Sequence, residues 1–119
     1  MKETEWEHDE RPWGEYWVLE DAATHKVKKV YVKPGGRLSL QYHRHRAEVW
    51  TIITGVGTVT LNDEVKDYYP GEVVRIPRGA NHRIQNRGTE DLYFIEVQYG
   101  SYFGEDDIVR IEDDYNRKS

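Results

Sequence analysis

The strongest constraint on this chain is its punctuation. Glycine and proline interrupt short alternating segments at the roughly 8–12 residue spacing of a β-sandwich or barrel. Glu15–Leu19, Lys26–Val32, Leu38–His45, Val49–Thr54, Val56–Leu61, Val65–Tyr69, Glu72–Ile76, His82–Asn86 and Leu92–Gln98 read as strands. Pro34-Gly35-Gly36, Asn62-Asp63, Pro70-Gly71 and Pro77-Arg78-Gly79 read as the turns between them. Only the tail departs from this pattern. Glu105–Tyr115 carries acids in its first turn and apolar Ile108, Val109 and Ile111, which predicts a short C-terminal helix. Residues 1–10 are polar, with five acids, and read as a flexible acidic arm. Residues 11–119 then form a single all-β domain, since 119 residues leave no room for two independent cores.

Composition excludes several classes. The chain has no cysteine, so disulfides, thiolate metal sites and cysteine nucleophiles are ruled out. No apolar run approaches the roughly 20 residues of a membrane-spanning helix, and the acidic first ten residues do not resemble a signal peptide. A cytoplasmic protein without a membrane partner is expected. The net charge of −5 argues against general nucleic-acid binding. Apolar residues make up only 37%, but four Trp, nine Tyr and two Phe supply large buried areas, and some of these rings are candidates for an interface with a second copy. The segment around Trp13–Trp17 is the candidate for an added edge strand in such a homodimer.

The charge is unevenly spread. Seven basic residues and no acid lie between Lys26 and Arg46, and four more lie between Arg75 and Arg87, again without an acid. Either these are solvated strand faces, or they surround an anionic ligand.

Three of the five histidines fall in two informative segments. In Gln41-Tyr42-His43-Arg44-His45-Arg46-Ala47-Glu48, strand alternation puts Gln41, His43 and His45 on one face, and Glu48 can return to it across a bend. The segment from Gly71 to Asn86 adds His82 at the start of a strand. Imidazoles and a carboxylate on one inner face suit a divalent transition metal. Gln41/His43/Glu48/His82 and His43/His45/Glu48/His82 both remain possible ligand sets. His8 and His25 lie outside these segments and read as ordinary structural histidines.

On these residues the sequence resembles the cupin superfamily, whose fold is a double-stranded β-helix, a small jelly-roll-like barrel. Gly71, Pro77, Gly79, His82 and Asn86 match the second cupin motif. Gly35, His43, Glu48 and Gly55 match the first, with Gln41 standing where that motif has its first histidine. That spacing favours the Gln41-containing ligand set, with His45 as an additional imidazole. Arg11-Pro12-Trp13-Gly14, Leu38-Ser39-Leu40-Gln41, His45-Arg46-Ala47-Glu48 and Ile95-Glu96-Val97-Gln98 resemble, more narrowly, the cupin domain of type II mannose-6-phosphate isomerases. Val49 departs from that family, which often has His before the tryptophan equivalent to Trp50.

The resemblance implies a metal-dependent interconversion of mannose 6-phosphate and fructose 6-phosphate, with Zn, Mn, Co, Ni or Fe as the divalent ion. Glu96 is the candidate base, because Phe94, Glu96 and Gln98 alternate onto one face. Lys28, Arg46 and Arg83 are the candidate cations for the phosphate of a small sugar phosphate. A non-catalytic sugar-binding or regulatory cupin, a dimerisation domain, and another metal-dependent cupin enzyme such as an oxygenase are the alternatives.

Overall fold

The computed structural model of the protein describes residues 7–114. Eleven strands account for nearly all regular structure: β1 (Glu7–Arg11), β2 (Gly14–Asp21), β3 (His25–Val32), β4 (Leu40–His43), β5 (Arg46–Thr54), β6 (Gly57–Leu61), β7 (Glu64–Tyr68), β8 (Val73–Ile76), β9 (His82–Gln85), β10 (Leu92–Gly100) and β11 (Ile108–Glu112). They form two antiparallel sheets. One has six strands in the order β1-β2-β3-β10-β5-β8, and the other has five in the order β11-β4-β9-β6-β7.

Three expectations are corrected. Glu105–Asp107 make a single 3-10 turn, and Ile108–Glu112 continue as strand β11 paired with β4, so no C-terminal helix is seen among the described residues; Tyr115, the last residue of that expectation, lies outside them. Ile108 and Val109 are β-branched and adjacent, which suits a strand as well as a helix; the free edge of β4 decides between them. At the other end, Glu7–Glu10 of the expected flexible arm belong to β1, which pairs with β2 from Glu7↔Val18 to Arg11↔Gly14. The strand containing Trp17 is therefore flanked on both sides, by β1 and β3, and is not an edge open to a second copy.

The sheets face each other across a core of Trp13, Val30, Val32, Trp50, Ile52, Val59, Val74, Ile76, Ile84, Leu92 and Phe94. Alternation places these residues. Along β10, Leu92, Phe94, Glu96 and Gln98 are buried, while Tyr93, Ile95, Val97 and Tyr99 turn the other way. Each fully buried aliphatic side chain of this kind contributes roughly 1.5–3 kcal/mol.

Two glycines set the turns that aim the site. Gly79 has φ +78°, a left-handed conformation, and its N–H donates to the carbonyl of His43 at 2.9 Å, tying the turn before β9 to the end of β4. At Gly36 a Cβ would lie 2.6 Å from the carbonyl oxygen of Trp13, so only glycine lets these two segments approach. The motif residue Asn86 is structural: its side-chain amide donates to the carbonyls of Val32 and Glu90, at 3.0 and 2.7 Å.

Candidate metal centre and anion pocket

Inward-facing residues of both sheets converge at one end of the core. His43 leaves the last position of β4, Glu48 comes from β5 and His82 opens β9. Their relative exposures are only 2–3%, and one ligand atom from each lies within 4.8 Å of the others. Gln41 is registered opposite His82. Its amide Nε2 donates to Ser39 Oγ at 2.7 Å, so its carbonyl oxygen is the atom with ligand chemistry.

His45 does not join this cluster. β4 ends at His43, the chain turns at residues 44 and 45, and β5 begins at Arg46. The alternation expected to carry His45 onto the ligand face stops before it. Its side chain is 56% exposed, edge-on to Tyr102 and 4.0 Å from Asp107. Asp107 fixes that turn by accepting the backbone N–H groups of Arg44 and His45 at 3.1 and 3.0 Å.

The electrostatics suit a cation. His82 donates from Nδ1 to the Ala80 carbonyl at 3.0 Å, which leaves Nε2 with its lone pair available. Burial pushes its pKa down to about 4, against the opposing charge of Glu48, so the ring is neutral near pH 7. Burial pushes Glu48 up. The hydrogen bond with His43 and the charge of Arg46 outweigh that and hold the carboxylate well below its usual range. Trp50 Nε1 donates to Glu48 Oε1 at 2.9 Å and orients it. His43 Nδ1 is a buried nitrogen without a hydrogen-bond partner. Two imidazoles, a carboxylate and an amide oxygen therefore fit a divalent transition ion.

Arg46 complicates that fit. Its guanidinium is buried, with Nε 2.9 Å from Glu48 Oε2 and one terminal nitrogen 3.3 Å from His43 Nε2. Glu48 Oε2 itself lies 3.2 Å from the same His43 nitrogen. Nε2 cannot donate to the carboxylate and accept from the guanidinium at once.

Glu96 faces the same cavity from β10 and is buried. Burial, then the charge of Glu48, pushes its carboxyl up to about 7 against the pull of Lys28, Arg46 and the Gln98 amide. Gln98, fully buried, donates to Glu96 Oε2. Lys28 also lines the cavity, with its ammonium 4.2 Å from the centre of the Tyr16 ring. Arg83 borders the cavity, but its guanidinium is held by the Leu38 carbonyl at 3.0 Å and by Glu112 Oε1 at 2.9 Å.

The sequence reading missed Arg11, Tyr16, Trp50 and Arg110, all of which line the cavity. Trp50 had a signal, being two residues from Glu48 on the same strand. Arg110 had none, because its segment reads as a helix; in β11 it is registered opposite Gln41. Val49, the departure from the resembling family, faces away from Glu48 and Trp50 and leaves the site untouched.

A two-sheet barrel with this inward-facing motif is a cupin-type double-stranded β-helix. The oxalate decarboxylase of Bacillus subtilis superposes over 93% of this chain and 31% of its own, with TM-score 0.81 and 21% identity. The capsular polysaccharide assembling protein CapF of Staphylococcus aureus superposes over 90% of this chain and 32% of its own, with TM-score 0.75 and 24% identity. More narrowly, residues 2–113 match the family described as mannose-6-phosphate isomerase C-terminal, and the chain belongs to it. Among its relatives are the xanthan biosynthesis protein XanB of Xanthomonas campestris, 50% identical over 107 residues, and the mannose-1-phosphate guanylyltransferase ManC of Salmonella typhimurium, 48% identical over 107 residues. The alginate biosynthesis protein AlgA of Pseudomonas aeruginosa is 47% identical over the same length. Each alignment covers 90% of this chain but only 22–23% of the relative, so the chain spans about a quarter of the length of these proteins.

Proposed function

We propose that this domain is a metal-dependent isomerase of mannose 6-phosphate and fructose 6-phosphate. The observation that carries the reading is Glu96: a buried carboxyl pushed up to about 7, in a cavity that also holds a candidate metal cluster and several cations. Aldose–ketose isomerisation moves one proton between C1 and C2 of the sugar and another between their oxygens. A base with a pKa near the working pH can both take and return the carbon-bound proton. Glu96 would do so, with the Gln98 amide holding one carboxyl oxygen and leaving the other for the substrate.

His43, Glu48, His82 and Gln41 would hold the ion. When bound, a divalent ion polarises the two sugar oxygens and stabilises the charge that develops on them. Lys28, Arg46, Arg110 and Arg11 bring positive charge to the walls of the cavity, which suits a dianionic phosphate. Arg11, Arg46 and Arg83 are the weaker of the candidate cations, because Asp9, Glu48 and Glu112 already neutralise them. The family match and the relatives named for mannose 1-phosphate and polysaccharide synthesis support a mannose-phosphate substrate.

The contacts of Arg46 favour a second reading. A guanidinium against Glu48 and His43 is a built-in counter-cation, and a sugar-binding module could keep it and never take up metal. A coupled assay separates the two. Metal-loaded protein is given mannose 6-phosphate and fructose 6-phosphate formation is followed, alongside binding of the same sugar to metal-free protein. Turnover abolished by Glu96→Gln, with metal content unchanged, is the expected result. Binding without turnover at any metal loading would leave only the binding module.

A further inference from the structure

Four residues form a square on the inward face where β5 meets β10. Glu48 is registered opposite Gln98, and Trp50 opposite Glu96. The two carboxylates therefore stand on a diagonal of neighbouring strands, and all four side chains are buried. Each carboxylate is held by an N–H from two residues along its own strand. Trp50 Nε1 donates to Glu48 Oε1 at 2.9 Å, and Gln98 Nε2 donates to Glu96 Oε2.

The two carboxylates nevertheless end in different places. One oxygen of Glu48 lies within 4.8 Å of a ring nitrogen of His43 and one of His82. Glu96 lines the same cavity, yet it is not part of that group among the described residues. A divalent ion in the group attracts any carboxylate free to turn toward it, and a carboxylate bound to the ion no longer serves as a base. Gln98 is the group that holds Glu96, and an amide is an unfavourable occupant of its position. The side chain is fully buried, and while Nε2 is used, Oε1 is a buried oxygen without a hydrogen-bond partner. Such an oxygen is destabilising, and an apolar side chain would not carry it. Gln98 is not among the residues lining the cavity, so its amide is not there to meet a substrate.

We propose that Gln98 is a positioning residue that keeps Glu96 off the metal ion, so that one cavity holds a ligand carboxylate and a separate base carboxylate. The proposal rests on the reading of Glu96 as the base and of His43, Glu48 and His82 as the metal holders. Trp50 plays the opposite part. With Oε1 on the indole, Glu48 turns Oε2 to within 3.2 Å of His43 Nε2.

Titration of the metal-free full chain with cobalt(II), followed by its d–d absorption, tests this without turnover. Glu96→Gln alone should leave the affinity and spectrum of the wild type unchanged, because Glu96 is not a ligand. Gln98→Met removes the donor and keeps the side chain unbranched. It should bind cobalt roughly tenfold more tightly or better, with shifted bands, as Glu96 turns onto the ion. Adding Glu96→Gln to Gln98→Met should return affinity and spectrum to those of the wild type, which also shows that the fold tolerates the methionine. With mannose 6-phosphate, Gln98→Met should lower kcat tenfold or more. No cobalt binding by the wild type, identical binding by Gln98→Met, weaker binding by Glu96→Gln, or a double variant that keeps the Gln98→Met spectrum overturns the proposal. The expected cobalt results with no turnover by the wild type would support it and overturn the isomerase reading alone.

Discussion

Arg46 and Glu48 stand two residues apart on one face of β5, both almost completely buried, with Nε 2.9 Å from Oε2. The carboxylate best placed to hold a metal ion is thus already neutralised by a cation of the same strand. Two buried charges this close stabilise one another only as a pair, and removing one leaves the other in a medium that does not solvate it.

Arg46→Met should therefore act in opposite directions with and without metal. In metal-free protein it should lower stability by roughly 3–5 kcal/mol, the usual cost of stranding a buried charge. It should also raise affinity for a divalent ion about tenfold or more, because the competitor for Glu48 Oε2 is gone, each decade being about 1.4 kcal/mol. Calorimetric titration with zinc and thermal melts with and without it check both. Unchanged metal affinity would mean that the ion does not use this oxygen.

Metal content should follow the buried cluster and not the exposed histidine. His43→Ala, Glu48→Ala and His82→Ala should each lose the ion, Gln41→Ala should weaken binding, and His45→Ala should keep it, since His45 is 56% exposed and lies outside the cluster. Plasma emission spectroscopy on dialysed protein reads this directly. Saturation at about 100 times the dissociation constant should stabilise the wild type by about 2.7 kcal/mol.

Glu96 should make the metal-free fold less stable as pH rises. Its folded pKa of about 7 lies above the unfolded value of 4.5, so between these pH values the folded state binds the extra proton. Stability is unaffected by this group below about pH 4.5, falls through the window up to about 7, and is then lower by roughly 3 kcal/mol. Glu96→Gln removes the ionisation. It should match the wild type near pH 4.5 and exceed it at pH 8, measured by urea unfolding across pH. A parallel pH dependence in both proteins would place the titration elsewhere.

The cations lining the cavity should divide. Lys28→Met and Arg110→Met should raise the KM for a sugar phosphate by roughly tenfold each, at about 1.4 kcal/mol per decade, with metal content unchanged. Arg83→Met should leave KM nearly unaltered and lower stability instead, because its guanidinium bridges β9 to Leu38 and Glu112. Steady-state kinetics with melts of the same samples distinguishes the two effects.

Asp107→Ala should loosen the turn between β4 and β5. Two backbone N–H groups lose their acceptor, which corresponds to roughly 1–3 kcal/mol if they stay out of water. Hydrogen exchange at Arg44 and His45 should rise before that of the core strands.

The sequence alone determined nine of the eleven strands, the turns between them and most of the candidate ligands, because these depend on short-range pattern. Alternation assigned Phe94, Glu96 and Gln98 to one face of β10, and glycine and proline marked where chains reverse. What the tertiary structure decided were the features that depend on what lies opposite. Ile108–Glu112 became a strand because the edge of β4 was free, although its local pattern also suits a helix. That pairing brought Arg110 beside Gln41, and the turn at residues 44 and 45 removed His45 from the cluster. Arg46 and Arg83 carry the same charge in sequence. One is held by a buried carboxylate of its own strand and the other by Glu112 across two strands. The partner of Arg83, and the depth of burial that sets the charge and pKa of such groups, come from segments tens of residues away, and no local pattern in the chain encodes them.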